Sequence, residues 1–235
     1  MTQKSNYDLY IIHGWTYTVE PWTTTLDLLK KAGLRVKMLN VPGLTSPSDA
    51  IWTIDQYVDW ANENIPDGAI ALGHSNGGRI LLNLCAKNPD KLKGLILLDS
   101  AGVYEPTKKK SLTQKLAKLG APLKKIKIID KVFHRLTGTT DYSRAPENMK
   151  RTMENMLASD AKLNLSAVTT NTIILWGEAD TITPLRHAEV IAKNLPHNTL
   201  KTFPAWTHAP YISHPDQLAT VLTKLLKPAK SKGNR

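Results

Sequence analysis

The chain has 235 residues, 41% hydrophobic and 22% charged, which suits one domain with a sizeable core and excludes a disordered, collagenous or disulfide-stapled chain. Lys and Arg number 31 against 20 Asp and Glu, so a formal charge of +11 favours anionic partners. One cysteine (Cys85), no apolar run near the ~20 residues of a membrane helix and a strand-like run starting within six residues of Met1 argue against an internal disulfide, a bilayer span and a signal peptide, and point to the cytoplasm.

Short apolar runs rich in branched residues alternate with longer segments of helical period. In chain order the strand candidates are Tyr7–Ile12, Arg35–Asn40, Ala69–Leu72, Leu95–Asp99, Thr172–Trp176 and Thr199–Phe203. Several are apolar throughout, as strands buried on both faces of a parallel sheet are. Pro21 opens a helix that stops at Gly33. Ser48 with Asp49 caps a second, running through Trp52, Tyr57 and Trp60 to about Ile65. A third runs from near Gly77 to just before Asn88-Pro89, a fourth starts near Pro184, and a fifth runs from Pro215 to about Lys227. This alternation predicts a doubly wound α/β sheet.

One stretch breaks the rhythm. Residues 102–168 hold no convincing strand but contain amphipathic helical pieces such as Leu112-Leu116-Leu119 and Ile126-Ile129-Val132-Phe133. A structureless loop of that length is improbable, so it reads as a helical cap inserted into a core formed by residues 1–101 and 169–227. Residues 228–235 read as a basic flexible tail.

The strongest chemical signal is Gly73-His74-Ser75-Asn76-Gly77, between a strand and a helix. A serine hydroxyl is a poor nucleophile unless it is exposed, positioned and deprotonated by a neighbour. A sharp strand-to-helix turn provides the first two, and Gly73 and Gly77 leave room for it. The same turn places the Asn76 N–H at a helix start, where an oxyanion would form. The base and its orienting acid should follow in the order Ser, Asp/Glu, His, on loops past later strands. Asp180, in Trp176-Gly177-Glu178-Ala179-Asp180, and His208, four residues after Pro204, stand at those places. His13-Gly14-Trp15 closes the first strand, so the Trp15 N–H is the second oxyanion donor.

These segments, with Asp180-x-x-Thr183-Pro184, resemble the α/β-hydrolase superfamily over nearly the whole chain. The resemblance implies a Ser75–Asp180–His208 triad, a helical cap, an ester substrate and no cofactor. That family commonly has two antiparallel strands before the His-Gly strand. The chain begins too late for them, which predicts a mainly parallel sheet of about six strands. Gly138 to Tyr142 and the helical stretch to Asp160 resemble the return from cap to core. Trp206 and Thr207 stand where a small residue and a glycine usually precede the histidine, so this loop is expected to be wider or to line the pocket.

Rivals exist for each role. His13 borders the site, and its bland role is packing behind the oxyanion loop. The side chain of His74 should point away from the serine, and His214 should lie at the surface. Asp99 ends a strand after which some superfamily members carry their acid; its bland role is to bond loop amides there. Glu178 is expected to pack under the Asp180 loop. Ser75 in place of aspartate argues against the dehalogenase and epoxide-hydrolase branches. No metal-ligand spacing, P-loop or dinucleotide motif occurs, so neither metal nor nucleotide is expected. Tyr17, Tyr104, Trp206 and Tyr211 are candidates for an apolar substrate pocket. Between Lys108 and Arg135 stand ten Lys/Arg and one acid, Asp130. Three readings stay open: a solvated face, a surface for an anionic substrate or acidic partner, and peripheral membrane contact. Nucleic acid is not expected, because no recognition module accompanies the charge. One branch of the superfamily, the pimeloyl-carrier methyl-ester esterases, docks an acidic acyl carrier protein on its cap. The resemblance therefore includes an acyl-carrier-linked ester, or a thioester, as a substrate.

Overall fold

The computed structural model describes residues 6–104 and 146–227. Six strands, β1 (Leu9–Ile12), β2 (Val36–Met38), β3 (Ala69–His74), β4 (Leu92–Leu98), β5 (Thr172–Gly177) and β6 (Asn198–Phe203), form one sheet. Their order is β2-β1-β3-β4-β5-β6 and every neighbouring pair is parallel. The expected α/β-hydrolase sheet of six strands is therefore present. The helices are α1 (Thr23–Lys31), α2 (Ile54–Asn64), α3 (Asn76–Lys87), α4 (Glu147–Ser159), α5 (Leu185–Asn194), the single-turn α6 (Pro210–Ser213) and α7 (Pro215–Leu226).

Alternation along the central strands divides the core in two. Leu9, Ile11, Leu72, Ile96, Leu98 and Leu175 pack with Leu29 of α1 and Leu218 and Leu222 of α7. Tyr10, Ile12, Ala71, Leu95, Leu97 and Ile174 pack on the other face with Val58 of α2, Ile80 and Leu84 of α3 and Ile191 of α5. Both faces are covered, which is why these strands are apolar throughout. The edge strand β6 alternates instead, with Asn198 and Leu200 half-buried and Thr199 and Lys201 exposed.

Local chemistry sets the helix ends. Pro21 starts a 3-10 turn, Glu20–Trp22, that runs into α1, and Gly33 follows with φ +73°. The expected Ser48/Asp49 cap is corrected: α2 starts later, at a capping box in which Thr53 and Gln56 each satisfy the other's backbone N–H. Ser48 is engaged elsewhere, because its hydroxyl accepts from Trp52 Nε1 and the Ala50 N–H. The expected cap helices over 112–133 and the tract 138–142 lie outside the described residues, as does the tail 228–235. Between β4 and β5, α4 covers the helical stretch expected up to Asp160. Its buried face carries Met149, Thr152, Met153 and Met156, and it is bound to the loop before α2: Thr152 accepts from the Trp52 N–H, and Asn155 and Asn148 donate to the carbonyls of Trp52 and Ser48.

Candidate active site

The carboxyl ends of β1, β3, β5 and β6 meet on one rim. At the end of β3 the chain turns directly into α3 through Ser75, whose backbone is held at φ +50°, ψ −118°. This is the strained turn that the glycines predicted. A Cβ on Gly73 would stand 2.5 Å from the Gly78 Cα, and one on Gly77 would strike the Ile12 carbonyl, so β3, α3 and β1 approach only without those side chains. The Ser75 N–H donates to the Leu98 carbonyl, and its own carbonyl accepts from Ala101, locking the turn to the end of β4.

Two loops bring partners to the serine. His208 Nε2 lies 3.0 Å from Ser75 Oγ, and His208 Nδ1 lies 2.8 Å from Asp180 Oδ2. Asp180 is buried, which works to raise its pKa. Hydrogen bonds from His208, from the Thr183 hydroxyl (2.6 Å) and from the Ile182 N–H outweigh this and hold the carboxyl below the usual carboxylate range. An ionised Asp180 accepts the Nδ1–H and leaves Nε2 free to accept a proton from Ser75. The loops are sewn together by bonds from the Glu178 and Ala179 N–H to the Phe203 and Trp206 carbonyls. Gly177 permits this approach, since a Cβ there would strike the Trp206 carbonyl.

The His13 ring is buried at the end of β1. Its Nδ1 bonds the Gly14 carbonyl and its Nε2 bonds the Thr45 hydroxyl, both at 2.7 Å. The Gly14 carbonyl can only accept, so Nδ1–H donates to it, and the bare Nε2 of the neutral ring accepts from the Thr45 hydroxyl, whose oxygen also accepts from the Val41 N–H. Burial lowers the His13 pKa, in keeping with the neutral form this requires. In a planar peptide the C=O and the next N–H point opposite ways. Holding the Gly14 carbonyl therefore turns the Trp15 N–H away from His13. Neither the Trp15 nor the Asn76 N–H has an acceptor among the described residues.

His74 points away from the Ser75 hydroxyl, as expected, but it is not idle. Its Nε2–H donates to the His208 carbonyl at 2.7 Å, while its ring packs against Trp22, Tyr211 and the His208 ring. Complete burial pushes its pKa down to about 3, so it remains a neutral brace. Asp99 has φ +43° and is fully buried; Oδ1 accepts from the Gly177 N–H, and Oδ2 has no hydrogen-bond partner among the described residues. Burial holds its pKa well above the ordinary value, and the neighbouring Asp180 adds to the shift. The amide it bonds is the last of β5 rather than one in the loop after its own strand.

The pocket candidates separate. Tyr17 is half-exposed and borders a hollow of about 370 Å³ with Leu44, Thr45, Asp49 and Met149. Tyr104 is half-exposed at the edge of the described chain. Trp206 and Tyr211 are corrections. Trp206 is fully buried in the α1/α7 core, stacked on Phe203 with Nε1 bonded to Gln217. Tyr211 stacks on Trp22 behind His74. Both rings fix the histidine loop from below instead of lining a substrate pocket. Glu178 is also corrected: it is exposed and accepts from the Thr202 hydroxyl. His214 is half-buried at the start of α7 rather than at the open surface. Sequence reasoning gave no role to the side chains of Arg79, Asp160 and Thr183. Only Thr183 carried a local signal, the Thr-Pro pair after Asp180.

Residues 9–215 match the α/β-hydrolase fold family. The chain belongs to that family. As an α/β hydrolase it is similar to the pimeloyl-[acyl-carrier protein] methyl ester esterase of Aromatoleum aromaticum, 24% identical over 246 residues covering 94% of this chain and 98% of the relative. The protein of that name from Shewanella woodyi is 24% identical, covering 93% of each. Among solved α/β hydrolases, MGS-MChE2 from lagoon sediment has a TM-score of 0.67 at 21% identity, over 95% of this chain and 92% of its own. A thermophilic esterase from Thermogutta terrifontis gives 0.65 at 18%, over 93% and 89%. Among the described residues no helix is long and apolar enough to cross a membrane, and no His, Cys, Asp and Glu group could hold a metal ion.

Proposed function

We propose that this chain is a carboxylic-ester hydrolase working through an acyl-enzyme. The observation that carries the reading is the continuous chain Ser75 Oγ–His208 Nε2–Nδ1–Asp180 Oδ2, at 3.0 and 2.8 Å, built on a serine at positive φ. Ser75 Oγ attacks the ester carbonyl as its proton passes to His208 Nε2. The oxyanion lies against the Trp15 and Asn76 N–H groups, each worth ~3 kcal/mol of transition-state stabilisation. On collapse the C–O bond to the alcohol breaks and His208 protonates the leaving oxygen. Water then attacks the acyl-serine, again giving its proton to His208, and the acid leaves as Ser75 recovers its proton. Asp180 stays ionised, orients the imidazole and offsets its charge.

The names of the relatives favour an ester whose acyl group rides on an acyl carrier protein. The ten Lys/Arg against one acid over 108–135 suit such an acidic carrier. A cytoplasmic location accompanies this substrate.

Ser75→Ala is expected to lower turnover of a short p-nitrophenyl ester on the order of 10⁶-fold with an unchanged melting curve. A fluorophosphonate is expected to label Ser75; an unlabelled, intact protein would mark a binding module. Retained turnover in the variant would assign the chemistry elsewhere. A panel of methyl ester, thioester and carbon–carbon substrates identifies the bond cleaved. Carrier-linked ester is expected to lose rate with rising salt while the free ester does not.

A further inference from the structure

One polar side chain beside the nucleophile has no task in the mechanism above. Asn76 is 2% exposed in the first turn of α3. Its Oδ1 accepts from Arg79 Nη1 at 2.5 Å, one turn along the helix. Arg79 is 6% exposed and grips Asp160 with two bonds, Nε to Oδ1 at 2.7 Å and Nη2 to Oδ2 at 2.9 Å. Asp160, 8% exposed, ends α4, inside the insertion. A buried relay thus joins the insertion to the residue after the nucleophile.

The chemistry of the three groups fixes which way the amide faces. A guanidinium has only donors, so the Asn76 oxygen must meet it and the NH2 group is turned elsewhere. There Nδ2 finds no acceptor among the described residues. Leaving such a donor buried and unmade costs about 1–3 kcal/mol, and native structures rarely do so without a reason. The cation on Oδ1 also draws electron density from the amide, which strengthens Nδ2–H as a donor.

We infer that the Asn76 side chain supplies a third donor to the carbonyl oxygen of the bound ester as it becomes the oxyanion, beside the main-chain N–H groups of Trp15 and Asn76. Arg79, anchored by Asp160, is the positioning residue that orients and polarises it. This inference rests on the ester-hydrolase reading.

The test uses the full chain and a p-nitrophenyl ester. Asn76→Leu keeps the main-chain N–H and the side-chain shape but removes Nδ2. It is expected to lower kcat on the order of 10²-fold with KM unchanged. Fluorophosphonate labelling of Ser75 should slow with it, because the phosphoryl oxygen uses the same donors. Replacing the ion pair as a unit (Arg79→Met with Asp160→Leu) leaves no lone buried charge. That pair is expected to lower kcat when Asn76 is present and to change nothing further in the Asn76→Leu background. A purely structural relay would lower the melting temperature and leave kcat and labelling rate intact, which overturns the inference. Should Asn76→Leu not fold, the paired variant decides alone: unchanged kcat overturns the inference, and reduced kcat at unchanged KM supports it. If Ser75→Ala retains turnover, the ester-hydrolase reading itself has failed. If Ser75 is essential and Asn76→Leu turns over normally, only the third donor is lost.

Discussion

The two ends of the sheet carry hollows of different size and different chemistry. At the amino ends of β3 to β6 lies the larger, about 540 Å³, lined by Ile70, Gly94, Leu95, Thr172, Pro196 and His197 among others. Its lining supplies one imidazole and no carboxylate. At the carboxyl ends the hollow beside Tyr17 and Met149 is only about 370 Å³, yet Ser75, His208 and Asp180 converge on that rim. Chain direction explains the difference. In a parallel α/β sheet each helix starts where a strand ends, so free N–H groups and the positive ends of helix dipoles gather at the carboxyl rim. The twelve-residue α3 starts at Asn76, directly after Ser75. Volume alone therefore points away from the proposed site; the direction of the backbone amides points towards it.

The largest expected effect at the rim, after loss of the serine itself, is on the acid. Asp180→Asn offers His208 an NH2 in place of an acceptor and favours the wrong tautomer, so kcat should fall ~10⁴-fold with little loss of stability. Steady-state kinetics with a melting curve checks this; a fall of tenfold or less would shift the acid's role to Asp99. Next comes His13→Phe, which frees the Gly14 carbonyl and with it the orientation of the Trp15 N–H. We expect kcat to drop roughly 10- to 100-fold while KM holds, a fraction of what a lost oxyanion donor costs.

Asp99→Asn is expected to act on stability. The native carboxyl keeps its proton above the ordinary value of 3.8, where the unfolded chain has lost it. The unfolded state thus binds fewer protons in that window, and stability falls as pH rises through it. An asparagine removes this loss, keeps an oxygen for the Gly177 N–H, and tolerates φ +43° well. Melting at pH 7 should rise by a few degrees and depend less on pH above about 4; a variant that melts lower at pH 7 contradicts the buried neutral acid. The smallest effect is assigned to the other end of the sheet. His197→Ala should leave kcat/KM unaltered and stability within about 0.5 kcal/mol. A measurable loss of turnover there would break the contrast between the two ends.

Whatever depends on local pattern could be read from the sequence. The apolar runs gave the strands because burial on both faces demands them, and Gly73 and Gly77 marked the elbow because no side chain fits there. The order of Ser75, Asp180 and His208 followed from loops at strand ends. What escaped depends on faces and on distance along the chain. Trp206 and Tyr211 sit within three residues of His208, and only the loop's path decides which side of the sheet each ring takes. Arg79 and Asp160 are 81 positions apart, and neither has a neighbour that announces the other. The start of α2 was missed because Ser48 and Thr53 are both fit caps, and the choice fell to a tertiary bond from Trp52 to Thr152.

The partners Ser75 and His208 lie 133 positions apart, and β6, which delivers the imidazole, is the last strand of the sheet. A chain emerging from the ribosome therefore completes the proposed nucleophile long before the proposed base that would arm it. Contacts of such wide separation form late, since loop closure must precede them. Regained turnover after dilution from denaturant should then report the seating of β6 on β5, and lag behind any probe of the β1–β3–β4 centre.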